Sequence, residues 1–213
     1  RTDHLYWANQ YIKDKKPTYI VQLGDFYDMP SLSSYDKGKR SSEGRRFSED
    51  IEAGNKALAL LSNGLDTKTY KPKKFMLLGN HCERIARAAN DSAWLEGTLS
   101  YSLLATKEHG WQTVPFLEVL KLHGIHFSHF FPRSANGRIT QTKNGAPSAR
   151  EQSRREGAST TAGHQQGLDV AIIPTGEGFI RGLIAGSFYL HDEEYMGAQG
   201  HNYWKGLLLK HEV

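Results

Sequence analysis

Three short apolar runs in this chain each end in glycine and lead directly into side chains that can hold a metal: Leu23-Gly24-Asp25, Leu78-Gly79-Asn80-His81 and Ala162-Gly163-His164. A fourth run ends in Ser128-His129. A short apolar run bounded by a turn residue reads as a buried strand. In open α/β sheets the strand ends are where ligands collect. Glycine at such an end lets the backbone approach an ion or a phosphate closely. Asp, Asn and His then supply oxygen and nitrogen donors that suit Mn, Fe or Zn alike. No one of these pieces is specific alone, but the ordered set restricts the fold to one that presents several strand ends.

The rest of the chain is read around these runs. Leu5, Ala8 and Ile12 share one helical face, so a first helix is expected from a Thr2 or Asp3 cap to about Lys15, stopped by Pro17. Residues 19–23 form a strand, and 30–46 form a polar loop. Ser48 is expected to cap a second helix that runs to about Ser62, with Gly64 just beyond its end. Residues 74–78 are a second strand, 83–90 a helix, and more helix is expected between Trp94 and Thr106. Residues 116–121 read as helix or strand, and 125–130 as strand. The Ser-, Asn- and Gly-rich segment 132–145 reads as loop, and Pro147 suits the first turn of a helix over 148–156 that ends at Gly157. Strands are expected at 170–173, 179–185 and 204–210. Strands alternate with helices early and with other strands late, which points to a mixed α/β class.

Length and composition fit this reading. The chain has 213 residues, enough for a single domain with its own core, and 38% hydrophobic against 23% charged residues is ordinary for a globular chain. No window approaches the apolar length of a membrane-spanning helix, and no leader peptide is visible. One cysteine, Cys82, rules out an internal disulfide framework and suits a reducing cytoplasm, that of the host if the chain is phage-encoded. A net charge of +4 admits an anionic partner without requiring one.

Gly24-Asp25-x-x-Asp28 and Gly79-Asn80-His81, followed by the strand-end His129 and then Gly163-His164, resemble the signature of the calcineurin-like metallophosphoesterases, including their phage and bacterial DNA-repair members. That signature reads D-x-H, G-D-x-x-D, G-N-H-[DE], H, G-H-x-H. The resemblance implies an α/β (α+β mixed) fold of two packed mixed β-sheets flanked by helices, over one domain spanning residues 1–213. It implies that Asp25 bridges two metal ions and that Asn80, His129 and His164 complete the shell of the second. His81 would steady the phosphate or protonate the leaving oxygen, with Asp28 supporting it. The implied reaction is in-line attack of a metal-bound hydroxide on phosphorus.

The chain departs from the signature in three places. D-x-H is missing. The chain opens on Arg1 rather than Met and closes just after Leu207-Leu208-Leu209, so both ends are expected to be cut from something longer, with the first strand lying before Arg1. Gln166 stands where the family has a second histidine, and an amide oxygen is a weaker ligand than imidazole. Cys82 follows His81, with the acid one place later at Glu83. The first two losses fall on the first ion, so the second-ion site is the better preserved.

Beyond the signature, Arg84 and Arg87 lie at helical spacing where they can face a substrate phosphate. Lys37, Lys39, Arg40, Arg45 and Arg46 in one loop, and Arg133, Arg138, Lys143, Arg150, Arg154 and Arg155 in a later segment, read either as a rim for DNA or RNA or as solvated surface. Cys82 lacks a second base and is not expected to be a nucleophile. His123, His126, His191, His201 and His211 have no motif context. The expected activity is therefore hydrolysis of phosphodiesters in nucleic acids or nucleotides. Two readings compete with it: a fold that has lost catalysis and serves as a binding or scaffold subunit, and, less favoured, a phosphoprotein phosphatase.

Overall fold

The expected strands at 19–23 and 74–78 pair with each other, the first as a half-buried edge strand rather than a buried one. The computed structural model describes residues 2–135, 138–140, 146–190 and 203–211, without the side chains of 41, 133–135 and 138–140. Lys143, His191 and His201, and the side chains of Arg133 and Arg138, therefore lie outside the described residues. The chain divides into two compact units, Thr2–Phe116 and Leu117–Val213. No helix among the described residues is long and apolar enough to cross a membrane.

The first unit contains helix α1 (Asp3–Lys15), strand β1 (Tyr19–Gln22), helix α2 (Phe47–Ser62), strand β2 (Lys73–Leu77), helix α3 (Arg84–Asp91) and strand β3 (Trp111–Val114). Its sheet has the order β1-β2-β3, and both pairings are parallel. This sheet is not the mixed one expected. Each connection passes through a helix that returns the chain to the end it started from, which makes neighbours parallel. α1 ends at Lys16 in the left-handed region (φ 46°), just before Pro17. α2 begins two residues earlier than expected. Arg46 is its N-cap, and Ser48 lies inside the first turn rather than capping it. Leu5, Ala8 and Ile12 of α1 and Leu58 and Leu61 of α2 are buried where the two helices pack. The Asn9 amide crosses from α1 to the end of α2, donating to the carbonyls of Leu61 (2.8 Å) and Asn63 (2.9 Å). Those carbonyls would otherwise lack an intrahelical donor.

Two features of this unit differ from expectation. The helix expected between Trp94 and Thr106 is only a pair of 3-10 turns, Ala93–Leu95 and Tyr101–Leu103. Gly97, at φ 82°, lies between them and cannot extend a right-handed helix in that conformation. β3 was not foreseen, because Trp111 is its one buried side chain and no apolar run announces it. Trp111 donates its indole N–H to Ser62 Oγ (2.8 Å), anchoring the strand to α2.

The second unit contains β4 (Leu120–Leu122), β5 (Ile125–Ser128), β6 (Arg133–Ala135), β7 (Arg138–Thr140), α4 (Ala149–Glu156), β8 (Ser159–Ala162), β9 (Leu168–Thr175) and β10 (Gly178–Ala185). Its five-stranded sheet has the order β4-β5-β8-β10-β9. The central β5, β8 and β10 are parallel, and the flanking β4 and β9 are antiparallel to their neighbours, so this sheet is mixed. β4 and β5 are joined by His123 (φ 48°) and Gly124 (φ 74°), the paired left-handed conformation of a tight hairpin turn. β6 and β7 pair antiparallel within the segment expected to be loop.

Ser148 caps α4, its hydroxyl accepting from the Glu151 N–H, so Pro147 precedes the cap rather than filling the first turn. Gly157 closes the helix at φ 63°. α4 packs on β8, β9 and β10, burying Ala149 with Ala171 and Ile184. The expected strand at 204–210 is absent. One bridge joins Ser187 to Lys205, and Leu207, Leu208 and Leu209 stay about a third exposed with no sheet to cover them.

The contact of α4 with the sheet depends on Gly182. A Cβ there would stand 2.0 Å from the Ala149 carbonyl oxygen, a backbone atom that cannot move aside. Gly182→Ala is expected to destabilise the chain by about 1–3 kcal/mol in urea unfolding. Gly167→Ala, where the added carbon would meet nothing within 4 Å, is expected to be neutral.

Candidate functional site

The end of β1 is shaped by consecutive left-handed residues, Gly24 (φ 103°) and Asp25 (φ 57°). Aspartate adopts this region more readily than most residues, but still at some cost in backbone strain. The Gln22 side chain brackets the turn, accepting from Gly24 N–H (2.8 Å) and donating to Gly24 C=O (2.9 Å). The turn sets the Asp25 carboxylate against the backbone of Gly79 at the end of β2. A Cβ on Gly79 would lie 2.0 Å from Asp25 Oδ1 and 2.5 Å from Asp25 N. The same Oδ1 accepts the His81 N–H at 2.9 Å. Asp25 thereby joins the two strand ends, and Asn80 lies half-buried between Gly79 and His81.

His81 is held in turn by Asp28, whose Oδ1 is hydrogen-bonded to His81 Nδ1. Arg84 fastens the same loop. Its Nη1 donates to the carbonyls of Asp28 (2.9 Å) and Met29 (3.3 Å) and lies 3.4 Å from Asp28 Oδ1. Partial burial pushes the Asp28 carboxyl up, but the His81 hydrogen bond and charge, aided by Arg84, outweigh it and hold the group below the usual carboxylate range. The Arg84 guanidinium is therefore committed to positioning this loop, while Arg87 is exposed on α3.

Cys82 points the other way. It is buried against Tyr27, and burial pushes its thiol up to about 11. The carboxylate of Glu83 accepts the Tyr101 hydroxyl at 2.6 Å. Tyr27, whose hydroxyl donates to Asn55 Oδ1 (2.9 Å), lies against Gly54 of α2, where a Cβ would meet its ring at 2.1 Å.

In the second unit, β5 and β8 are parallel neighbours with Ser128 opposite Ala162, so His129 and Gly163 leave the sheet side by side. The Gly163 N–H donates to His129 C=O at 3.0 Å. His164 follows in the left-handed region (φ 63°), which brings its ring edge-on to that of His129, centroids 5.1 Å apart. Phe130 packs on His164 at 4.7 Å. Ile125, Phe127 and His129 are all buried, as strand alternation predicts, whereas His164 is exposed. His126 instead meets Glu156 at 3.0 Å, and His123 serves the hairpin turn.

Gln166 Oε1 accepts the hydroxyl of Tyr189, a residue that sequence reasoning passed over. Lys205 lies over the Tyr189 ring at 5.3 Å. Of the basic stretches, Arg45 binds the Pro30 carbonyl (3.2 Å) and Asp36 (2.9 Å), and Arg155 binds the Pro132 carbonyl (2.7 Å). Lys37, Arg40, Arg46, Arg150 and Arg154 are exposed.

Two measurements follow from these surroundings. Native Cys82 is expected to resist a thiol reagent at mildly alkaline pH and to react at once in denaturant, so fast native labelling would contradict its burial. Asp28 titrates lower when folded than when unfolded, so it stabilises the fold above the ordinary carboxylate value and ceases to do so as pH falls through the folded one. Its side chain is 62% exposed, so the effect is screened to under about 1 kcal/mol. The melting difference between the parent and Asp28→Asn should be present at neutral pH and vanish as the carboxylate protonates. A difference independent of pH would contradict this. Comparison of the chain with family models, with curated protein sequences and with solved structures returns no match.

Proposed function

We propose that the chain is a metal-dependent phosphoesterase of the calcineurin-like sandwich type, hydrolysing phosphodiesters of nucleic acid or nucleotides in the cytoplasm. The observation that carries this reading is the seat of Asp25. A strained left-handed aspartate is pressed onto the one residue type that leaves room for its carboxylate, with a backbone N–H fixing one oxygen. Such strain at a strand end is characteristic of functional sites. In the second unit, the paired rings of His129 and His164 offer two nitrogen donors from adjacent strand ends.

The donor chemistry fits a divalent cation. The first unit supplies a carboxylate and the Asn80 amide and the second supplies two imidazoles, oxygen and nitrogen donors of the kind Mn, Fe or Zn takes, and it is the family resemblance that implies a shared ion for Asp25, Asn80, His129 and His164. Such an ion, when bound, lowers the pKa of water and stabilises charge on phosphoryl oxygens. His81 has its Nδ1 tied to Asp28, which fixes the ring, so Nε2 is the nitrogen left to deliver a proton to the leaving oxygen. Arg84 keeps Asp28 in place, and Arg87 is the exposed cation for a substrate phosphate.

The Gln166–Tyr189 hydrogen bond favours a second reading. The amide oxygen that would replace the family's histidine is engaged by a hydroxyl, which weakens the other ion's site and suits a chain that binds without turnover.

Manganese loading followed by native mass spectrometry, with assays of bis-p-nitrophenyl phosphate against p-nitrophenyl phosphate, separates these readings. The parent is expected to bind metal and prefer the diester. Asp25→Ala and His164→Ala should lose the metal. His81→Ala should keep it and lose turnover by about 10²–10⁴-fold. Metal binding without turnover would select the second reading. No metal and no turnover, with Asp25→Ala the same as the parent, would dismiss both.

A further inference from the structure

Trp94 and Tyr35, at 84% and 79% exposure, are the most exposed large apolar side chains among the described residues. Single exposed aromatics are common and need no explanation. These two are unusual in being held on fixed backbone beside the proposed centre. Trp94 lies in the Ala93–Leu95 turn, where Leu95 N–H bonds to Ser92 C=O (2.8 Å) and Glu96 N–H to Ala93 C=O (3.2 Å). Tyr35 precedes Asp36, which Arg45 holds at 2.9 Å while also bonding the Pro30 carbonyl. Ser31 N–H is tied to Asp50 at 2.9 Å.

Both segments rest on one element. The Pro30–Leu32 turn and the Ala93–Leu95 turn each pack against α3, whose first residue, Arg84, grips the Asp28–Met29 backbone. α3 begins three residues after His81, so the aromatics and the acid-base pair share a scaffold. Charge on this side is cationic. Residues 35–46 carry Lys37, Lys39, Arg40, Arg45 and Arg46 against Asp36 and Glu43, and Arg87 is exposed on α3.

We propose, resting on the phosphoesterase reading, that Tyr35 and Trp94 are a stacking platform for unpaired bases, so that the substrate strand is single-stranded nucleic acid. Cations alone would serve a duplex, since its phosphates are all outside. Exposed rings gain nothing from a duplex, whose base faces are already stacked. An unpaired strand offers a free base face to each ring and its phosphates to the cations.

The test is polarisation of a fluorescein-labelled oligothymidylate and of a matching labelled duplex, both in chelator so that nothing is cleaved. The parent should bind the single strand more tightly, with quenching of tryptophan emission. Trp94→Ala and Tyr35→Ala should each weaken that binding by about 5- to 150-fold, the worth of one stacked base. Trp94→Phe and Tyr35→Phe, which keep a ring, should largely retain it. Equal affinity for duplex and single strand, or alanine variants that bind the strand as the parent does, would overturn the platform. Hydrolysis of the small diester by the parent reports on the phosphoesterase reading separately. Turnover with unaffected strand binding removes only the platform, whereas ring-dependent strand binding without turnover leaves the platform standing.

Discussion

The contact between the Asp25 carboxylate and Gly79 is the constraint on which the first unit's strand ends depend. It requires a left-handed aspartate after β1, a residue without Cβ after β2, and a backbone N–H from His81 directed at the carboxylate. The requirements fall on two segments, one after β1 and one after β2, so neither can change alone. The consequences spread outward. His81 is placed by its own backbone bond to Asp25, Asp28 is placed by its bond to His81, and Arg84 fixes the loop between them. A polar chain of this kind transmits position, because each group is held through its neighbour's hydrogen bond and a loose member would loosen the rest.

The second unit reaches a comparable result through sheet register. Parallel pairing of β5 with β8 sets His129 beside Gly163, and the left-handed turn at His164 then directs the two rings toward each other. Here burial supplies much of the order. His129 is 2% exposed and shares its face with Ile125 and Phe127, so the apolar alternation of the strand also aims the imidazole.

What could be read from the residues was what is written locally. The apolar runs at 19–23, 74–78 and 125–130 became β1, β2 and β5, and the caps and stops of α1 and α4 fell within a residue or two. The order of donor residues at strand ends was visible because each follows its strand at once. Elements whose burial is decided at long range were not visible. β3 buries only Trp111, which is settled by Ser62 of α2. The apolar stretch 204–210 looked like a strand, but a strand needs a free edge to pair with, and it found one bridge at Ser187. The Tyr189 hydroxyl on Gln166 joins residues that nothing in the local sequence connects. Gly54 is a similar case, since its value lies in leaving room for Tyr27 from a different element.

The register of β5 and β8 has a consequence for how such a chain can change. Because the two histidines are aligned by backbone pairing and by the Gly163-to-His129 hydrogen bond, their spacing is not set by the length of the connection that separates the strands. That connection holds β6, β7 and α4, of which α4 is itself packed on the sheet, so residues added outside α4 leave the register of the imidazoles as it is. One added residue within β8 itself would shift its alternation and turn His164 to the opposite face. Variation is thus partitioned. The stretch outside α4 is free of this register, while the framework that aims the donors admits almost no drift.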